Sequence, residues 1–237
     1  MFKYAKYFFS SITALVVIYT SLRGTYYPSI FLLLFSLIII LGDMFVRRDE
    51  EIQEFNYPSI LNFSIYINLP ILFILVFFVI SIFSNNLPIW YIDGINRMFN
   101  IDFIQLKQSF NLVDKISLII VSSLYIGSLG IVSGHELTHR KKDKFDMFIG
   151  NWLLSFSWDC NFAIEHVYAH HKNVCLPDDP ASADRNENIY MFILKAIKDE
   201  QVSGWKIELD RLNRKKLAKL SFHNKILIGY LRSLLIT

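Results

Sequence analysis

Four long apolar runs separated by short polar stretches dominate the first 134 residues of the chain, at 7–22, 28–46, 59–83 and 112–133. A helix that crosses a bilayer needs roughly 17–25 mostly apolar residues. The pattern therefore predicts four transmembrane helices. The first run follows Lys3 and Lys6, which also fits a signal peptide, but the stretch TSLRGTYYP does not match a small-residue cleavage site. We expect a retained helix there.

The pattern changes after residue 134. The stretch MFIGNWLLSFSWDCNFAI is apolar but interrupted by Gly150, Asn151 and Asp159, which predicts an interfacial or re-entrant helix. From Asn188 onward the pattern is amphipathic, with an apolar stripe opposite a basic face. The stripe consists of Trp205, Leu209, Leu212, Leu217 and Leu220. This pattern is typical of a helix that lies on an anionic membrane surface, and it fits a solvated helix of a cytoplasmic cap equally well.

These patterns predict an all-α fold, an integral-membrane helical bundle in three regions. Residues 1–134 form the transmembrane part, 135–187 a histidine-rich region, and 188–237 basic amphipathic helices. The final KILIGYLRSLLIT has the composition of a fifth span but is too short to cross.

Composition agrees with lipid as the solvent, because the chain is 53% hydrophobic and only 19% charged. A net charge of +3 is too small to indicate nucleic-acid binding. The two cysteines give no disulfide framework, and we expect both to be reduced. With alternating helices, one side of the membrane receives most of the short-loop cations, at Lys3, Lys6, Arg47, Arg48, Arg140, Lys141, Lys142 and Lys144. This predicts a cell-membrane protein whose histidine stretches lie on the cytoplasmic side.

Five of the six histidines fall in two short stretches, GHELTHR and EHVYAHH. His135 and His139 are four residues apart and share one face of a helix. His166 and His170 repeat this spacing, with His171 about 100° further round. Neutral imidazoles suit iron, zinc and copper. We therefore expect two facing helices to surround metal with all five.

The stretch HELTH also fits the H-E-x-x-H pattern of zinc proteases, in which Glu136 would be the general base. A single catalytic zinc needs only three protein ligands, which leaves histidines over, whereas a dinuclear site uses all five. A membrane-embedded zinc protease remains an alternative at this point.

The stretches GHELTHR and IEHVYAHHKNVCLPDDPASA together resemble the first two histidine boxes of the integral-membrane alkane hydroxylases, which belong to the membrane fatty acid desaturase and hydroxylase superfamily. The D-P-A-S-A segment is the discriminating part, and the resemblance spans about residues 134–183.

The resemblance implies a non-haem di-iron oxygenase that takes electrons from rubredoxin or ferredoxin, activates O2 and hydroxylates an alkane or fatty-acyl chain. A fatty acid desaturase of the same superfamily is the alternative. The implied iron ligands are His135, His139, His166, His170 and His171. Glu136 and Glu165 would be auxiliary catalytic carboxylates, because ligating imidazoles usually need an orienting partner.

The third histidine box of that family has no counterpart in the chain. His223 matches no box, and we expect it on the surface of the basic helix. Five histidines cannot saturate two irons in the family's manner, so we expect the sequence to be the N-terminal part of an enzyme, or an inactive truncated remnant. Asp178 and Asp179 precede Pro180, which is typical of a turn or helix N-cap as much as of a site.

Overall fold

A computed structural model describes residues 2–46 and 53–237, and regular structure in these ranges is helical, with no strand. The chain divides into two compact units, Met1–Leu129 and Gly130–Thr237. The predicted all-α fold is confirmed.

The described part of the first unit contains eight α-helices and a 3-10 turn at Lys6–Phe8. A π-helical segment, Ile126–Ile131, follows the eighth helix. The helices are α1 Phe2–Ala5, α2 Phe9–Ser21, α3 Tyr27–Phe45, α4 Pro58–Tyr66, α5 Asn68–Phe83, α6 Ile89–Phe99, α7 Phe103–Ser109 and α8 Leu112–Tyr125. A buried hydrogen bond of 2.7 Å from Ser11 Oγ to Asn68 Oδ1 joins α2 to α5.

Three helices of the described residues are long and apolar enough to cross a membrane, namely Tyr27–Phe45, Pro58–Phe83 and Leu112–His139. They coincide with three of the four predicted spans. The remaining predicted span, 7–22, is not among them, because α2 has only 13 residues and would extend about 20 Å, less than the bilayer core of about 30 Å. Arg47 and Arg48, used to predict sidedness, lie outside the described residues.

The second unit begins in the same π-helical segment and contains the histidines. Its α-helices are α9 Val132–His139, α10 Lys144–Ser155, α11 Phe162–Glu165, α12 His171–Asn173, α13 Ile189–Arg214 and α14 Lys225–Ile236, and a π-helical turn, His166–His170, joins α11 to α12. The predicted apolar stripe does not continue along one helix to its last two residues. Leu217 and Leu220 lie beyond α13, because the chain leaves the helix and Lys216 adopts a left-handed conformation (φ 53°).

Helices α9 and α10 approach closely at two glycines. A Cβ on Gly134 would lie 2.8 Å from Leu154 Cγ, and one on Gly150 would lie 3.0 Å from Leu137 Cβ. Small residues let two helix backbones approach closely. This matters in lipid, where the hydrophobic effect does not drive helices together. The contact fixes the position of His135, the residue after Gly134.

Candidate metal centre

Helix α9 presents His135 and His139 on one face, as their spacing predicts. Their Nε2 atoms are 2.7 Å apart and their ring centroids 4.6 Å apart. Both side chains project toward the second histidine stretch, where His135 Nε2 lies 2.9 Å from His166 Nε2. The two stretches therefore meet, as expected.

The second stretch contains a π-helical turn, which changes which of its histidines face α9. Its π-helical turn brings His171 beside His166, with 3.0 Å between their Nε2 atoms. Five residues along an α-helix would place two side chains about 140° apart, whereas a π-helix bonds residue i to i+5 and brings them to one face. His171, rather than His170, joins the pair on α9.

Four imidazoles thus converge, those of His135, His139, His166 and His171, and their ligand atoms all lie within 4.8 Å of one another. Burial, assisted by the neighbouring histidines, lowers the pKa of His166 to about 4, so this ring is neutral at pH 7. Neutral imidazole nitrogens are ligands of first-row transition metals. The donor set therefore fits a bound iron, zinc or copper ion.

His170 lies outside this group of four and has a partner of its own. Its Nδ1 is 3.0 Å from Asp179 Oδ1 and 3.1 Å from Oδ2. The Asp179 carboxylate is buried and also accepts hydrogen bonds from Ser182 Oγ (2.5 Å) and the Ala181 amide (3.1 Å). Burial opposes ionisation, but the bonds from Ser182 and His170 outweigh it and lower the pKa of Asp179. A carboxylate on one ring nitrogen is how proteins orient the other toward a metal.

The two predicted carboxylates occupy different surroundings. Glu136 is exposed and forms an ion pair of 2.9 Å with Arg140. Glu165 is buried, and among the described residues its Oε1 atom has no hydrogen-bond partner. Burial, together with the charge of Glu200, raises the pKa of Glu165 to about 7. Only Glu165 therefore has the environment of a buried polar site.

Sequence reasoning missed two features around the histidines. The sequence favoured a turn or cap role for Asp179, whereas its carboxylate both accepts hydrogen bonds within the turn and contacts His170. Its position at the start of the D-P-A-S-A segment was the only sequence feature that pointed to the site. Helix α13 was not connected to the site, yet its Glu200 carbonyl accepts a bond of 3.1 Å from Asn161 Nδ2, and Gln201 Nε2 donates to Asn161 Oδ1 at 2.5 Å. Nothing local in the sequence joins residues about 40 positions apart.

The remaining candidate residues lie outside the cluster. Asp178 and His223 are exposed, and the His223 carbonyl oxygen accepts a hydrogen bond from Arg211. Cys160 is buried and Cys175 exposed, and both are free thiols.

Comparison with known proteins connects this region to one family. The fatty acid desaturase family model matches residues 116–237, slightly more than half of the chain. Alkane 1-monooxygenase 2 of Alcanivorax borkumensis is 33% identical over 133 residues, which cover 56% of this chain and 35% of that protein. Alkane 1-monooxygenase 1 of Pseudomonas aeruginosa is 32% identical over 127 residues (54% and 33%), and the alkane 1-monooxygenase of Pseudomonas putida is 37% identical over 102 residues (43% and 25%). The chain thus matches about a third or less of the length of these relatives.

Proposed function

The chain belongs to the fatty acid desaturase family, and on that premise we propose that its histidine cluster is the metal centre of a membrane oxygenase acting on alkyl chains. The observation that carries the proposal is the convergence of four Nε2 atoms from two separate histidine stretches. Both stretches lie within the region that matches the family. Membrane helices that precede the cluster agree with a substrate dissolved in lipid.

The proposed cofactor is a non-haem di-iron centre. His135, His139, His166 and His171 would hold iron, and His170 is the proposed fifth ligand. Iron would supply the O2 chemistry that amino-acid side chains lack. Asp179 keeps the proton of His170 on Nδ1, which leaves its Nε2 lone pair available. Glu165, adjacent to His166, is the proposed auxiliary carboxylate.

The proposed reaction is hydroxylation of an alkane or fatty-acyl chain with O2. The three relatives above are alkane 1-monooxygenases, which favours hydroxylation over desaturation. Burial of each methylene is worth about 0.8 kcal/mol, so a chain of about eight carbons or more is already concentrated in the bilayer. The electrons would come from rubredoxin or ferredoxin on the cytoplasmic side.

The zinc-protease alternative fits the geometry less well. A general base must reach the water that a metal activates, whereas the Glu136 carboxylate is engaged by Arg140. A catalytic zinc with three protein ligands would also leave one of the four converging imidazoles unused.

The test begins with the purified, detergent-solubilised chain loaded anaerobically with Fe(II), followed by mass-spectrometric metal analysis. We expect iron to remain bound after desalting. Formation of the alcohol on incubation with O2, reduced rubredoxin and an alkane such as octane would identify a hydroxylase. An alkene from a fatty-acyl substrate would identify a desaturase instead. One tightly held zinc with peptide hydrolysis that Glu136→Gln abolishes would overturn the oxygenase.

A further inference from the structure

A cavity of about 400 Å³ lies in the second unit, lined by residues of α10, α11, the π-helical turn and α14. Four of its lining residues are cations and its walls include apolar side chains. We call it the basic pocket and define it by Lys141, Lys144, Lys225, Arg232, Met147 and Ile228. It does not include the converging histidines.

The packing of α14 gives the basic pocket a fixed shape. A Cβ on Gly229 would lie 2.6 Å from Cys160 Cβ, so this helix runs directly against the chain at Cys160. One turn later, Ser233 Oγ donates a buried hydrogen bond of 2.8 Å to the Ser155 carbonyl oxygen. Between these anchors in sequence, Arg232 lines the pocket with its guanidinium 5.9 Å from the centre of the Trp152 ring.

Within the described residues, the side chains of the four cations in the basic pocket have no carboxylate within ion-pair distance. The contact recorded for the Lys141 ammonium is with the Tyr168 ring, 3.9 Å from its centre. Like-charged side chains around one cavity repel each other, and an anion placed among them removes that repulsion.

Nearby acidic side chains already have other partners. Asp143 caps α10 by accepting from the Phe145 and Asp146 amides. Asp146 lies 3.4 Å from Arg140. Glu208 is paired with Arg211 at 2.6 Å and also accepts a hydrogen bond of 2.7 Å from the Lys225 backbone amide. An anion from outside this part of the chain would therefore add the negative charge that none of these carboxylates places within ion-pair distance of the four cations.

The sequence position of the basic pocket indicates the source. Lys141 follows the candidate span Leu112–His139 by two residues, so its Cα lies within about 7 Å of the end of that helix. Basic pockets beside the end of a membrane-spanning helix recognise the phosphates of lipid headgroups. The apolar side chains Met147 and Ile228 suit an acyl chain, which a free anion does not have.

We propose that the basic pocket binds an anionic phospholipid, with the phosphate among the four cations and the start of an acyl chain against the apolar wall. This site is separate from the histidine cluster and does not depend on the proposed reaction. The bound lipid would join α10 to α14 and hold this part of the protein at the membrane surface.

The test measures lipid binding to the full chain in detergent by native mass spectrometry. The probes are palmitoyl-oleoyl phosphatidylglycerol, phosphatidylcholine with the same acyl chains, and inorganic phosphate. We expect phosphatidylglycerol to bind at least tenfold more tightly than phosphatidylcholine. The double variant Lys144→Gln/Lys225→Gln should weaken phosphatidylglycerol binding about 30-fold, since each lysine near an anionic headgroup contributes about fivefold.

The matched control is Lys142→Gln/Lys215→Gln, which removes the same charge from exposed lysines that do not line the basic pocket. It should change the affinity less than twofold, and circular dichroism should show that both variants keep the helix content of the parent. Equal loss in the two variants, or equal binding of the two lipids, would overturn the proposal. Inorganic phosphate that binds as tightly as phosphatidylglycerol would also overturn it, because the acyl chain would then contribute nothing.

Discussion

The Nε2 atoms of His166 and His171 lie 3.0 Å apart although the residues are five positions apart in sequence. The π-helical turn His166–His170 makes this possible, because it widens the helix by one residue per turn. His171 consequently completes the four-imidazole cluster, and His170 turns to Asp179. Single π-helical turns are frequent at functional sites, and here one decides which histidine belongs to which group.

Replacement of His171 should therefore affect metal binding differently from replacement of His170. His171→Ala removes one of four converging donors and should weaken binding of the ion held by the cluster about 100-fold, since each ligand contributes a few kcal/mol. His170→Ala should leave that ion in place. Competition with a chelator, followed by metal analysis, measures both affinities.

His223→Ala is the control, because His223 is exposed and outside the cluster. If His170→Ala released the cluster's ion as readily as His171→Ala, the grouping of the histidines described above would be wrong.

Asp179→Asn should act through His170. The amide keeps the size of the side chain but loses the charge that lies 3.0 Å from His170 Nδ1, so affinity for an ion bound through His170 should fall about 10–100-fold. Nuclear magnetic resonance of 15N-labelled histidine should show a change in the His170 tautomer, which a merely structural role would not produce. Asp178→Asn, at an exposed neighbouring position, should leave both the affinity and the spectrum unchanged.

The sequence was sufficient for features that depend on local composition. Three membrane spans followed from the length and apolarity of their runs, because lipid imposes that length. The convergence of the two histidine stretches followed from their residue types. The sequence predicted all five histidines around metal and did not separate His170 from the other four. That separation requires knowing that the helix is π-helical over one turn.

Long-range contacts account for the other misses. The burial of Glu165, whose Oε1 atom has no hydrogen-bond partner among the described residues, depends on which face of its helix is covered. The approach of α13 to Asn161 depends on Gly204, where a Cβ would lie 2.8 Å from Asn161 Cβ. A glycine in a helical sequence does not reveal which neighbour comes close to it.

Gly134→Ala should disturb the cluster by separating α9 from α10. The new methyl group would lie 2.8 Å from Leu154 Cγ and 3.1 Å from the Gly150 carbonyl oxygen, and such overpacking typically costs about 1–3 kcal/mol. We expect a lower melting temperature and weaker metal binding, because His135 follows Gly134 directly. Gly127→Ala is the matched control, since a Cβ there meets nothing within 4 Å. A melting temperature lowered equally by both substitutions would contradict the close packing of α9 and α10.

Asp159→Asn should stabilise the protein at neutral pH. Burial, with a contribution from Glu200, raises the pKa of Asp159 from 3.8 to about 6. A carboxyl group whose pKa is higher in the folded state destabilises that state as pH rises from about 4 to 6, because the unfolded chain ionises first. The substitution should therefore change little at pH 4, gain stability through this window and reach a plateau above it, on the order of 2 kcal/mol. Thermal melts of the variant and parent across pH 4–8 measure the difference. Asp210→Asn, at an exposed position on α13, should show no pH-dependent gain in stability. If Asp159→Asn raised the stability equally at pH 4 and pH 7, the effect would have to arise from packing rather than from ionisation.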